Sequence, residues 1–176
     1  FGQVVAALAA EINGLKLALP VVAHTREKVA EMTADWPVKP ILIDDEAEKI
    51  AAFKASRAAL ASTGTATLEL GLARLPTIGA YNMGWFGSLL LRILQVPSTV
   101  LPNLILDKPV MQEFLQGRCK PAFITPTLRH LLLDDELNQK CRRNLAELQP
   151  ALSYEGLPPA QRAAEITLKL ASSKTV

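Results

Sequence analysis

A run of small polar residues followed by a carboxylate has the composition of a loop that holds a phosphorylated ligand. Within ASTGTATLEL (61–70), four of these residues lie between an apolar stretch and a helical pattern: Ser62, Thr63, Gly64 and Thr65. Hydroxyl groups and the free N–H groups at a helix start both donate hydrogen bonds to phosphate oxygens, and a glycine lets the backbone approach a ligand closely. Glu69 lies about one turn into the helix, where its carboxylate is placed to accept hydrogen bonds from a ribose.

Helix capping is the alternative explanation of the same residues. A serine or threonine before a helix, with a glutamate three or four residues later, stabilises the helix start without any ligand. The segment also lacks the lysine that follows the glycines of a P-loop. The local pattern alone leaves both interpretations open.

Strands and helices alternate along the first half of the chain, and they must position this loop. Near-continuous apolar runs predict strands at 15–23, 38–44, 58–62 and 76–81. Helical patterns predict helices at 1–12, 25–36, 46–56, 65–75 and 85–95. This alternation predicts an α/β fold with a Rossmann-like, doubly wound parallel sheet. In such a sheet ligands bind beyond the carboxyl ends of the strands, which is where 62–65 falls.

The second half of the chain is predicted to be mainly helical. VMQEFLQGR (110–118) predicts a short helix, apolar residues three to five apart between 124 and 148 predict one or two long helices, and 160–172 resumes the pattern. We therefore expect a Rossmann-like domain over 1–120 and a helical C-terminal extension over 121–176. The leucines of 128–148 form a wide apolar stripe, so we expect this extension to pack on the Rossmann-like domain, or on a partner domain or second subunit.

Charge and cysteine content argue against several classes of protein. The net charge of +2 is too small to indicate nucleic-acid binding. Cys119 and Cys141 have no nearby histidine cluster, so neither a metal site nor a cofactor is expected. No apolar stretch is long enough to span a membrane. MGWFGSLLLRILQV (83–96) predicts an amphipathic helix, either packed in the core or lying at a lipid surface.

Several motifs in combination resemble those of the lipid-A-disaccharide synthase family. They are the stretch ASTGTATLELGLARLPTIGAYNM, which starts at residue 61, and LPNLILDKPVMQEFLQ at 101–116. The resemblance runs over about residues 1–150. It implies the C-terminal, donor-binding half of a GT-B glycosyltransferase, a fold of two Rossmann-like domains. The family transfers 2,3-diacylglucosamine from UDP-2,3-diacylglucosamine to 2,3-diacylglucosamine 1-phosphate (lipid X), which gives a β-1,6 disaccharide and UDP.

The resemblance also implies which residues contact the UDP-sugar. It assigns the UDP part to the 62–65 loop and Glu69, and it places Tyr81 at the end of the next strand. The family commonly has an arginine after this tyrosine, whereas this chain has Asn82. Asn82 and Asn103 are then the polar groups expected to meet sugar or phosphate. Glu113 and Gln116 match the family stretch that fixes sugar hydroxyls. Without the resemblance, Pro102-Asn103 predicts an ordinary turn and Glu113 an exposed helix charge.

The resemblance further implies what lies outside these 176 residues. We expect a strand and its loop before Phe1, and an N-terminal domain that carries the catalytic residue and the lipid X pocket. His24 and His130 form no nucleophile–base pair, so the fragment alone is expected to be inactive. The expected location is the cytoplasmic side of the inner membrane, with peripheral lipid contact and a possible homodimer through the C-terminal helices. The alternatives are another UDP-sugar-binding GT-B glycosyltransferase or epimerase domain, and a non-enzymatic interaction module.

Overall fold

Parallel strands flanked by helices form the core of the computed structural model, which describes residues 1–82, 84, 97–153, 156–157 and 159–173. The described strands are β1 (Ala18–Pro20), β2 (Ile41–Ile43), β3 (Ala59–Ala61), β4 (Thr77–Tyr81) and β5 (Gln112–Leu115). β1 pairs with β2, and β3, β4 and β5 pair in that order; every one of these pairings is parallel. The α/β prediction is confirmed, although the described strands form two parallel sheets rather than one continuous sheet.

The described helices connect these strands and then continue to the C-terminal part of the chain. They are α1 (Gly2–Glu11), α2 (Arg26–Met32), α3 (Glu46–Ala55), α4 (Thr65–Leu72), α5 (Leu101–Leu106), α6 (Pro121–Leu133), α7 (Asp135–Leu145), α8 (Leu148–Leu152) and α9 (Pro159–Ser173). Ala23–Thr25 and Gln116–Arg118 form short 3-10 helices. Asp45 caps α3, since its side chain accepts a hydrogen bond from the backbone N–H of Glu48 at 2.8 Å. The helix predicted at 85–95 lies outside the described residues.

Two predictions from local pattern are wrong in the segment 101–118. The short helix predicted at 110–118 is replaced by β5, because the free edge of β4 offers a full backbone ladder and the segment has no strong helical stripe. The turn predicted at Pro102-Asn103 is instead the first turn of α5, where Pro102 occupies a position that needs no N–H donor. In both places tertiary pairing and proline geometry decide the structure.

Most apolar residues of 124–148 pack on the domain itself, which is one of the two arrangements expected for the C-terminal extension. One buried cluster joins residues of α6 to α1, β4 and β5: Val4, Leu8, Ile78, Phe114, Ile124, Leu128 and Leu131. A second joins the start of α8 and the end of α7 to the segment around α5: Val100, Val110, Met111, Leu145 and Leu148. α6 is therefore part of the core, whereas α9 presents several exposed apolar side chains, among them Leu168 at 69% and Leu170 at 62%.

An apolar cavity of about 860 Å³ separates the two sheets. Residues of β1 and β3 line it, together with apolar side chains of α1 such as Val4 and Leu8. Ser62, Lys49 and Glu69 also line this cavity, so its polar part lies where β3 ends. The loop identified from the sequence thus stands at the border between this cavity and the carboxyl edge of β3.

Candidate functional site

The 62–65 loop leaves the carboxyl end of β3 and enters α4 through a glycine. Gly64 adopts φ 128° and ψ −158°, a conformation that residues with a Cβ rarely adopt. Its carbonyl oxygen accepts hydrogen bonds from Thr67, at 2.6 Å from Oγ1 and at 3.1 Å from the backbone nitrogen. A Cβ built on Gly64 meets no atom within 4 Å, so the space beside this backbone is open.

Side-chain capping does not account for the hydroxyls of this loop. The N-cap residue of α4 is Gly64, and no side chain caps the helix start. In the described part of the chain, the hydroxyls of Ser62, Thr63 and Thr65 take part in no hydrogen bond. Ser62 and Thr65 are exposed. Three hydroxyls and the first N–H groups of α4 are therefore available to an oxygen-rich anion.

Glu69 of α4 pairs with a lysine of α3. The Nζ atom of Lys49 lies 3.0 Å from Oε2 of Glu69 and 2.9 Å from Oε2 of Glu46. The Glu69 side chain is 52% exposed, whereas that of Lys49 is only 20% exposed. These hydrogen bonds, with that to Glu46 the stronger, hold the pKa of Lys49 above its usual value. The pairing of Lys49 with Glu69 was not predicted from the sequence, because Lys49 belongs to no recognisable motif and its helical pattern indicates only an exposed position.

Tyr81, Asn82 and Gln116 lie at the same edge as the loop. β3, β4 and β5 run in parallel, and Tyr81 is in register with Leu115, the residue before Gln116. Tyr81 ends β4, as predicted, and is 38% exposed. The Oδ1 atom of Asn82 accepts a hydrogen bond from the backbone N–H of Gly84 at 2.9 Å. The carboxyl ends of three neighbouring strands thus bring these groups to one rim.

Asn103 and Glu113 are held by partners within the protein. Asn103 is buried, and its side chain exchanges hydrogen bonds of 2.8 Å with both the N–H and the carbonyl of Met111. Glu113 accepts hydrogen bonds from Ser98 and Asn103 on Oε1, and from the backbone and hydroxyl of Thr99 on Oε2. Glu113 is therefore not an exposed helix charge but a strand residue that fixes the segment before α5. Its contact with a sugar stays a prediction.

This fixed segment packs directly on the sheet beside the loop. A Cβ built on Gly79 of β4 would lie 2.8 Å from Cγ2 of Val100 and 3.7 Å from Cγ2 of Thr63. Only a residue without a side chain leaves room for Val100 there. Glu113 therefore shapes the site indirectly. It anchors Ser98 and Thr99, and these residues bring Val100 over β4.

Gln116 carries a buried amide without a hydrogen-bond partner. Both its Oε1 and Nε2 atoms are shielded from solvent, and neither forms a hydrogen bond in the part of the chain that the structure describes. Its backbone adopts φ 50°, which is uncommon for a residue with a side chain. Buried amides are nearly always paired, so an unpaired one beside a candidate site points to a partner that arrives with a ligand.

The other polar residues considered from the sequence lie outside this arrangement. His24 is exposed in the short helix after β1, and His130 is a surface residue that pairs with Asp134 at 3.0 Å. Cys119 and Cys141 are free thiols, and burial raises the pKa of Cys141. Among the described residues no group of histidine, cysteine and acidic side chains is placed to hold a metal. Within the same residues, no helix has the length and apolarity required to cross a membrane.

Parallel strands joined by helices, with a glycine-bearing loop at the carboxyl ends, define the Rossmann-like class of α/β domains. Comparison with known families identifies the particular group within this class. The family model described as lipid-A-disaccharide synthetase matches residues 1–156, and the chain belongs to that family.

Curated relatives agree with this assignment over almost the whole chain. The lipid-A-disaccharide synthase of Bradyrhizobium diazoefficiens is 38% identical over 96% of this chain, and that of Rhodopseudomonas palustris strain HaA2 is 36% identical over 97%. The synthase of Rhodospirillum centenum is 34% identical over 100% of this chain. The chain spans only 43–44% of the length of these relatives.

A solved structure was also found. The crystal structure of the calicheamicin glycosyltransferase CalG4 superposes with a TM-score of 0.46 at 16% identity, over 92% of this chain and 43% of that one.

Proposed function

We propose that this chain is the donor-binding half of a lipid-A-disaccharide synthase and that it holds the UDP part of UDP-2,3-diacylglucosamine. The observation that carries the proposal is the loop from Ser62 to Thr65, whose hydroxyls have no partner in the described structure and whose glycine opens the backbone to a ligand. Family membership supplies the chemical class of that ligand. It also favours this proposal over an epimerase domain or an interaction module.

The rim offers groups that suit each part of such a donor. The hydroxyls and helix N–H groups donate to the diphosphate, and the same bonds stabilise UDP as the leaving group when the sugar C1–oxygen bond breaks. Oε1 of Glu69 is not engaged by Lys49, so it is able to accept hydrogen bonds from the ribose hydroxyls. Tyr81, Asn82 and Gln116 lie beside this loop, at the carboxyl ends of β4 and β5. Asn103 and Glu113 hold the segment before α5 against β4, and we propose that this segment borders the sugar of the donor.

The rest of the reaction requires groups that the described residues do not supply. The 6-hydroxyl of lipid X must lose its proton to a general base as it attacks C1 of the donor, and we assign that role to none of the described residues at this rim. We propose that the base and the acceptor pocket belong to a second domain, so that the 176 residues alone form no disaccharide. Detection of disaccharide after incubation of the purified chain with both substrates would contradict this part.

The acylated substrates of the proposed reaction favour a location at a membrane surface. We propose a location on the cytoplasmic face of the inner membrane, with peripheral lipid contact rather than a spanning helix. The exposed apolar residues of α9, among them Leu168 and Leu170, are the described side chains best suited to meet a second domain or a second copy.

Titration with UDP by calorimetry tests the donor site. We expect wild-type protein to bind UDP. Glu69→Gln should weaken binding by about tenfold or more, because a charge-assisted hydrogen bond contributes roughly 1.5–3 kcal/mol. Gly64→Ala should weaken it to a similar extent, because the added methyl group obstructs the diphosphate. Glu48→Gln, an equivalent change on the exposed face of α3, is the control and should leave the affinity unchanged. A melting curve for each variant separates lost binding from lost folding. Equal UDP affinity in all four proteins would remove the nucleotide from this loop.

A further inference from the structure

The carboxyl ends of β2 and β3 collect acidic side chains around one lysine. Asp44, Glu46, Lys49 and Glu69 all line the polar part of the cavity between the sheets. Asp44 pairs with Arg26 at 3.0 Å, whereas Glu46 and Glu69 share the ammonium of Lys49. The Lys49 side chain is the least exposed member of this ion-pair group, at 20%.

We infer that Lys49 is a positioning residue of the nucleotide site, which holds the Glu69 carboxylate in the orientation that recognises the ribose hydroxyls. The inference rests on the proposed function, because it requires a nucleotide at this loop. It adds a residue from a different helix, about 20 positions before Glu69 in the chain, to the group that determines ligand selectivity.

The geometry of the ion pair explains how one residue acts through the other. Lys49 donates to Oε2 of Glu69 and does not engage Oε1, so the carboxylate is held in place and Oε1 can still accept hydrogen bonds. Glu69 itself is half exposed and makes no other described ion pair, which means that without Lys49 its side chain would sample several rotamers. Each rotamer that turns away from the loop lowers the fraction of protein ready to bind the hydroxyls.

The charge of Lys49 serves the same purpose. A lone carboxylate close to a diphosphate would repel it, and the ammonium, which Glu69 shares with Glu46, offsets part of that repulsion while leaving the oxygen lone pairs in place. The pKa of Lys49 is raised by its hydrogen bonds to Glu46 and Glu69, so the ammonium stays charged at neutral pH. Glu69 thus remains an acceptor of hydrogen bonds whose negative charge is partly offset by Lys49.

Calorimetric titration with UDP and with 2′,3′-dideoxy-UDP, which lacks both hydroxyls, tests the inference. We expect wild-type protein to prefer UDP by about tenfold, and Lys49→Met to reduce this preference to about twofold, because Glu69 no longer stays in the orientation in which its charged hydrogen bonds to the hydroxyls form. Lys49→Arg should restore most of it. In a Glu69→Gln background Lys49→Met should change the preference no further. Lys54→Met, an exposed lysine on the same helix, is the control.

The possible outcomes separate this inference from the proposed function. An unchanged preference in Lys49→Met, or a further loss in the Glu69→Gln background, would overturn the role of Lys49 while the UDP site stands. Failure of the wild-type protein to bind UDP would overturn the proposed function instead. If Lys49→Met unfolds, Glu46→Gln supplies a second measurement, because it leaves the Lys49–Glu69 pair intact and should keep the wild-type preference. Loss of the preference in Glu46→Gln would contradict the inference.

Discussion

Gln116 is the residue at which we expect stability and binding of the UDP-sugar to oppose each other. Its amide is shielded from solvent and unpaired in the described structure, although a buried amide without partners costs stability. The residues around it, by contrast, satisfy their polar groups: Asn103 and Glu113 are fully engaged by neighbours. An unpaired buried amide among residues whose polar groups are all hydrogen-bonded is typical of a side chain that binds a ligand.

Replacing Gln116 by methionine should therefore raise stability and lower affinity for the UDP-sugar. Removal of the unpaired amide should raise the free energy of unfolding by about 1 kcal/mol, since leaving a buried polar group unsatisfied costs about 1–3 kcal/mol. Denaturant unfolding and titration with a UDP-sugar measure the two effects. Thr125→Val is the matched control, because Thr125 Oγ1 is likewise buried and unpaired but lies on α6. A loss of stability in Gln116→Met, or unchanged affinity, would contradict this reading of the amide.

The sequence points to the loop residues because their chemistry is local, and their contact with a ligand stays a prediction. Gly64 is required by its own backbone angles, and hydroxyls around a helix start form a short pattern. The environment of Asn103 and Glu113 was not foreseen, because it depends on β5, a strand that only tertiary pairing produces. Lys49 was missed for the same reason: its partner Glu69 is on another helix.

At the scale of elements, α4 is held against α5 and α8 by a glycine. A Cβ built on Gly71 would lie 2.6 Å from Cδ1 of Leu148, 3.1 Å from Cγ of Pro102 and 3.3 Å from Cε of Met111. Leu148 is fully buried. α4 thus approaches its neighbours as closely as the backbone allows, and this contact fixes the helix whose N-terminus carries the loop.

Gly71→Ala should consequently destabilise the protein even though alanine favours helix more than glycine does. Overpacking of a filled core costs about 1–3 kcal/mol, which exceeds the gain of about 1 kcal/mol in helix propensity. Thermal unfolding of Gly71→Ala checks the sign. Gly117→Ala, where a Cβ meets nothing within 4 Å, is the control and should change the melting temperature little. A higher melting temperature for Gly71→Ala would show that the core between α4 and α8 has room to adjust.

The alternation of elements was predictable, but the boundary of each sheet was not. Apolar runs between helical patterns identify β1 to β4 because strands covered on both faces are apolar throughout. Strand order and pairing depend on contacts between distant segments, which a local pattern does not contain. The pattern of 110–118 fits a helix and a strand equally, and the open edge of β4 decides it.

For the whole molecule, the cavity between β1 and β3 is the main departure from a continuous sheet. Ala59 donates its N–H to Pro76 at 2.8 Å, so in a parallel ladder the N–H of Leu60 points away from β4, on the side of the cavity. On the facing strand Pro20 has no N–H to offer. The described structure therefore leaves the cavity side of β3 without a ladder partner.

Hydrogen exchange of three consecutive amides, those of residues 59, 60 and 61, tests this arrangement. The Leu60 amide should exchange at least about tenfold faster than the amides of Ala59 and Ala61, which face β4, because an unpaired edge opens without breaking the sheet. Exchange followed by NMR on the 176-residue chain measures all three in one sample. Equal protection of Leu60 would mean that a further strand or a second copy pairs with β3 across the cavity.

A crystal structure of the chain with UDP tests the central claim most directly. The account predicts diphosphate oxygens within hydrogen-bond distance of the loop from Ser62 to Thr65 and of the first N–H groups of α4, with the ribose hydroxyls on Glu69. Lys49 should keep its contact with the carboxylate. UDP bound elsewhere, for instance in the apolar cavity between β1 and β3, with the hydroxyls of the loop still unpaired, would contradict it.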